Sequence, residues 1–130
     1  MCEIVSFEIA KKLKEKGFDY PCFDAINSFG CTYRNGWCEY LDDRCNELIT
    51  LADLHKGDCL LPTISQVLKY LRETHNIYIV VFINDDTDKP VTFEIYKGTE
   101  CVMCEHSYYS LAEWNKAEMD AIEYVIDNLI

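Results

Sequence analysis

Residues 61–84, LPTISQVLKYLRETHNIYIVVFIN, constrain the fold more than any other stretch of this chain. Thr63 and Gln66 have the spacing of a capping box, in which two side chains satisfy free N–H groups at a helix start. Pro62 stops any helix from entering from upstream. Ile64, Val67, Leu68 and Leu71 then recur at i, i+3, i+4 and i+7, one apolar stripe on a helix. His75 and Asn76 break the period. Ile77–Ile83 is a run of β-branched and aromatic residues, the composition of a central strand buried on both faces. The stretch predicts a helix over 63–74 running directly into a strand, with Leu68 and Leu71 packed on the sheet.

The remaining elements are read around that unit. A helix is predicted over 4–16, with Val5, Phe7, Ile9, Ala10 and Leu13 on its apolar side, four lysines outward and Gly17 at its end. A strand over 20–28 follows. Asn35-Gly36 is a strong hairpin signal that would pair Tyr33 with Cys38 and Cys31 with Tyr40. Ser28-Phe29-Gly30 is a competing turn, and both would serve a three-strand meander. Acids at its start, helical spacing of Cys45, Leu48, Ala52 and His55, and Gly57 beyond predict a helix over 42–56. Val91–Lys97 alternates Val91, Phe93 and Ile95 against Thr92, Glu94 and Tyr96, a strand with one wet face hairpinned to its predecessor. Ser110 and Glu113 form a second capping box. It opens a last helix with Leu111, Trp114, Ala117, Ala121, Ile122, Val125 and Leu129 inward. The reading is one α+β domain over residues 1–130, an antiparallel sheet of three to five strands with helices mainly on one face.

The helix PTISQVLKYLRE followed by NIYI resembles a motif of small uncharacterised proteins carried by phages, prophages and conjugative elements of gut bacteria. There a Pro-Thr-Ile-x-Gln-Val-Leu-Lys-aromatic-Leu-Arg-Glu helix runs into a short Ile-rich strand. The first helix ending in Lys-Gly-Phe and the closing IEYVIDNLI are similar too, so the likeness covers roughly residues 5–28, 62–84 and 110–130. Residues 30–61 depart from it and read as an insertion. The resemblance implies an accessory protein of a mobile element and carries no site residues with it.

Composition limits the function. A hydrophobic fraction of 49% and a charged fraction of 27% are those of a globular chain. No apolar run reaches the roughly eighteen residues that cross a bilayer. Lysines interrupt the first eighteen residues, so no secretory h-region forms and a cytoplasmic location is expected. The net charge of −11 argues against nucleic-acid binding, which needs basic surface to displace counterions. Residues 1–38 are balanced, whereas 39–58, 85–105 and 113–127 each carry −4. Such a surface keeps a protein soluble, and it also suits a basic protein partner.

Eight cysteines in a chain expected to be reduced read as buried small hydrophobes, metal ligands or reactive thiols. Cys101, Cys104 and His106 make the sharpest cluster, three of the four ligands a zinc ion wants. The second knuckle of a strong zinc signature is missing, so the principal reading is no cofactor, with zinc as the alternative. A thioredoxin-like use of the same pair needs a thiolate at a helix N-terminus, and the helix starts well past Cys104. Asp85, Asp86 and Asp88 lack the glycine and distal glutamate of a calcium loop and read as a hairpin tip. No phosphate loop, GxSxG elbow or HExxH is present. The expected function is therefore non-enzymatic: binding another macromolecule through acidic surface, at Asp85, Asp86, Asp88, Glu118, Asp120 and Glu123. Trp37, beside the predicted turn, is the candidate anchor. A metal-binding module, and a small-molecule-binding protein or an enzyme without a local signature, stand as alternatives.

Overall fold

The computed structural model describes residues 3–34, 48–51, 54–84, 88–104 and 108–130. It has the expected α+β class with antiparallel sheets, and the six strands fall into two sheets of three. Contacts divide the chain into two compact units, residues 1–66 and 67–130.

In the first unit, helix α1 spans Phe7–Glu15. It starts later than the sequence pattern predicts because Ile4 forms an antiparallel bridge with Thr63, and the Val5 N–H donates to the Pro62 carbonyl at 3.1 Å. Extended backbone there leaves Ser6 to cap the helix, its hydroxyl oxygen accepting the Ile9 N–H at 3.2 Å. α1 ends in a Schellman motif. Gly17, at φ 86°, donates to the Lys14 carbonyl and Phe18 donates to the Leu13 carbonyl, while the Leu13 and Phe18 side chains are both buried.

Strands β1 (Asp24–Ile26), β2 (Thr32–Arg34) and β3 (Cys59–Leu61) pair in the order β2-β1-β3. Ala25 lies opposite Tyr33 on one side and Leu60 on the other. α1 packs against β3 through its buried stripe of Ile9, Ala10 and Leu13. The turn at 28–30 links β1 to β2. The Asn35-Gly36 hairpin lies outside the described residues. β3 was not anticipated: three residues are too few to show a period. The helix predicted over 42–56 is corrected in its described part. Ile49 bridges Cys22, with Cys22 N–H to Ile49 O at 3.0 Å and Ile49 N–H to Cys22 O at 2.6 Å, so the backbone there is extended. Pairing with a distant segment overrode a helical spacing carried by only a few apolar side chains.

Helix α2 spans Ile64–His75 and opens on the predicted capping box. The Thr63 N–H donates to Gln66 Oε1 at 2.8 Å, and the Gln66 N–H donates to Thr63 Oγ1 at 3.1 Å. Ile64, Val67, Tyr70 and Leu71 are buried, whereas Leu68 is only half-buried, correcting its place in the core stripe. Asn76 ends the helix in the left-handed region, φ 56°, which asparagine tolerates better than most side chains. Its carbonyl accepts the Gly98 N–H at 2.8 Å.

The second sheet has the order β4-β5-β6, with β4 at Ile77–Ile83, β5 at Val91–Lys97 and β6 at Glu100–Met103. β5, not β4, is therefore the central strand. Among the described residues of this sheet β4 pairs only with β5, and its Tyr78 and Val80 are 39% and 44% exposed. An apolar run reports hydrophobicity, not the number of neighbours, so it could not tell an edge from a centre. The predicted wet face of β5 needs correction as well, since Thr92 is fully buried.

Helix α3, Trp114–Asn128, follows a 3-10 turn at Leu111–Glu113 and packs on β4 and β5. The Glu113 carboxylate accepts from the Ser110 N–H at 3.1 Å and hydroxyl at 3.0 Å. Those two bonds hold its carboxyl below the usual glutamate range. Ala117, Ala121, Ile122, Val125 and Ile126 are buried. Leu111, predicted inward, is 61% exposed, while Trp114 and Leu129 are half-buried. The tighter 3-10 turn puts residues 111–113 out of phase with the α-helical stripe that follows.

Candidate functional site

The candidate site residues named from sequence, the cysteines apart, separate into three groups. Trp37, Asp85, Asp86 and His106 lie outside the described residues. Asp88 is exposed just before β5. On α3, Asp120 is exposed, and Glu118 and Glu123 are half-buried, so the helix turns them outward less fully than the charge pattern implied. Asp120, Glu123 and Asp127 stand at i, i+3 and i+7, a line of three carboxylates on one helix side. The Tyr109 hydroxyl donates to Asp120 Oδ2 at 2.7 Å, and burial together with that bond raises the phenol's pKa, so it stays a donor.

Burial raises the Glu118 carboxyl above its ordinary value of 4.5. Below 4.5 both folded and unfolded chains hold its proton and burial costs nothing. Above it the unfolded chain releases the proton first, so this residue lowers stability as pH rises towards the folded value. Glu118→Gln is therefore expected to melt at the parent's temperature near pH 4 and above it at pH 7. A difference independent of pH, or a less stable variant at pH 7, would contradict that.

Cys101 and Cys104 are joined by a disulfide, with Cα atoms 6.4 Å apart. This one pair departs from the reduced state expected, while Cys22, Cys31 and Cys59 are free thiols, and in this form neither sulfur of the pair is available as a zinc ligand. The reason is a bulge. Side chains three apart on a regular strand point to opposite faces. Here Ile95 pairs with Met103 and Tyr96 with Cys101, which leaves Val102 as an extra residue on β6. The extra residue shifts the phase and brings positions 101 and 104 to the same side. Among the described residues no group of three or more His, Cys, Asp or Glu stands where it could hold a metal. Cys22 and Cys59 are buried thiols. Burial, reinforced by Asp24, pushes Cys22 up to about 12, and its Sγ–H donates to the Tyr20 carbonyl at 3.2 Å. It is a small hydrophobe.

A cavity of about 470 Å³ lies beside α1, and sequence reasoning missed it. Phe7, Lys11, Lys14 and Glu15 line it from the helix, Ser28 from the β1–β2 turn, and Gly57 and Cys59 from the segment entering β3. A second recess of about 460 Å³ shares Ser28 and is walled by Asn27, Phe29, His55, Lys56 and Asp58. The Lys14 ammonium donates to the Asp58 carbonyl at 2.8 Å, tying the helix to that segment. Lys11 lies over the Phe7 ring, 5.3 Å from its centroid. Burial raises the Cys59 thiol, an effect that Lys14 and Lys11 partly oppose. The available signal was the concentration of four lysines within residues 11–16, out of twelve basic residues in the chain. Their helical spacing made them read as a solvated face.

Compared with protein-family models, with curated proteins and with solved structures, the chain matches none.

Proposed function

We propose that the protein is a non-enzymatic accessory protein, of the mobile-element kind its motifs resemble, acting by binding a basic macromolecular partner through acidic surface. The observation that carries this reading is the α3 stripe. Asp120, Glu123 and Asp127 extend about 10 Å along one helix side, from a rise of about 1.5 Å per residue. Lys116 is the single basic residue on that helix. Tyr109 holds Asp120 in place by its hydrogen bond, so part of the field is preorganised. Asp88 adds a further exposed carboxylate. A net charge of −11 favours a basic protein over nucleic acid, because like charge repels a phosphate backbone.

A field of this kind accelerates encounter and is screened over about 8–10 Å at physiological salt. A partner recovered by affinity capture is expected to bind about tenfold or more weakly when salt rises from roughly 50 to 300 mM, mainly through a slower on-rate. Charge reversal at Asp88, Glu123 and Asp127 should weaken binding further while leaving the circular dichroism unchanged. Salt-independent binding with parental affinity in the variant would show that the acidic surface serves solubility alone.

A further inference from the structure

We infer that the cavity beside α1 binds a small anionic aromatic ligand, a planar ring carrying a phosphate or a carboxylate. Lys11 and Lys14 receive the anionic group, and Phe29 and His55 receive the ring in the adjoining recess, with Ser28 lining both. The cavity volume of about 470 Å³ is within the roughly 300–1,000 Å³ of small-molecule sites.

Charge gives the sign of the ligand. A chain of −11 repels anions over most of its surface, so two lysines in one recess, with Lys56 in the next, are a local reversal. Glu15 on the same wall and Asp58 in the adjoining recess offset two of the three lysines, and the small positive balance left suits a small anion better than a polymeric one. Lys14 is held in position by its bond to the Asp58 carbonyl. An ammonium carries three donors, and that bond uses one.

Phe29 gives the shape of the ligand. Its side chain is 90% exposed, yet the turn that carries it is pinned. Asn27 Oδ1 accepts the Phe29 N–H at 2.9 Å and the Cys31 N–H at 3.0 Å, the Gly30 N–H donates to the Asn27 carbonyl at 3.0 Å, and Gly30 takes φ 85°. A ring held in water on a fixed backbone buries almost no surface in the free protein, and stacking on a planar ligand would bury it. Among the described lining residues the one thiol is Cys59, and burial favours its neutral form, so it serves as wall and not as nucleophile.

Calorimetric titration of the full chain at low salt with AMP, anthranilate, adenosine and inorganic phosphate tests this. AMP or anthranilate is expected to bind with Kd below about 1 mM, and about tenfold or more tightly than both adenosine and phosphate. Binding by AMP alone would assign a phosphate ligand, and by anthranilate alone a carboxylate. Phe29→Ser and Lys11→Gln, both at exposed positions, should each weaken that ligand about fivefold or more without moving the melting temperature. Three results would overturn the inference: neither anionic ring binds below about 1 mM, a control binds equally well, or both variants bind like the parent.

Discussion

Leu71→Ala is expected to destabilise the protein by about 2–5 kcal/mol, the range for deleting a buried leucine side chain. Leu71 has no exposed surface and sits on the buried side of α2 with Val67 and Tyr70. For a chain of this length the loss corresponds to a fall in melting temperature on the order of 10 °C. Leu68, three residues earlier and only half-buried, supplies the internal control. Its alanine variant should lose clearly less, because part of the leucine surface already meets water and the space left can fill with solvent. Thermal melts of the two variants beside the parent decide the matter. Equal losses, or a larger loss at Leu68, would put the core face of α2 elsewhere on the helix.

Thr92→Val is expected to raise stability by about 1–2 kcal/mol, since a buried hydroxyl without a partner costs about 1–3 kcal/mol. Thr92 is fully buried on the central strand β5, opposite Phe82 of β4, and its Oγ1 makes no hydrogen bond among the described residues. Valine keeps the branched shape and removes the polar atom, so no cavity opens to offset the gain. Chemical denaturation with an unchanged slope and a higher midpoint is the expected record. A variant no more stable than the parent would mean that the hydroxyl is satisfied, and that the position is polar for a structural reason.

Leu68 and Thr92 mark places where local pattern and tertiary environment disagree, and those places show what a sequence of this kind conveys. The Thr63–Gln66 capping box formed as its spacing implied, because both partners lie within one turn and need no distant contact. The strand Ile77–Ile83 and its hairpin to Val91–Lys97 were equally legible, since seven consecutive β-favouring residues beside a polar loop leave few local alternatives. Position within the sheet was not legible. β6 is short and bulged, and its pairing with Ile95, Tyr96 and Lys97 is what makes β5 central; Thr92 lies outside that pairing, and its burial is a separate tertiary feature.

The candidate sites divide along the same line. The carboxylates of α3 could be named from sequence because charge is a property of each residue. How far outward they point depends on packing, which left Glu118 and Glu123 half-buried. The Cys101–Cys104 pair was visible as a motif, but the bulge at Val102 that turns both sulfurs to one side was not. The lysine-lined cavity had no local signature. Its walls come from α1, the turn at Ser28 and the segment around Gly57, and the bond from Lys14 to Asp58 spans 44 residues.

The Thr63–Gln66 cap, the periods of the first, second and last helices and the strand run at Ile77–Ile83 were legible locally, because each is set by neighbours within a few residues, and the net charge of −11 follows from composition. Which strand lies at the centre, which cysteines meet and where the lysines face a cavity were settled by long-range contacts. Those depend on pairings between distant segments, whose free energy comes from burying surfaces that no short window of sequence contains together.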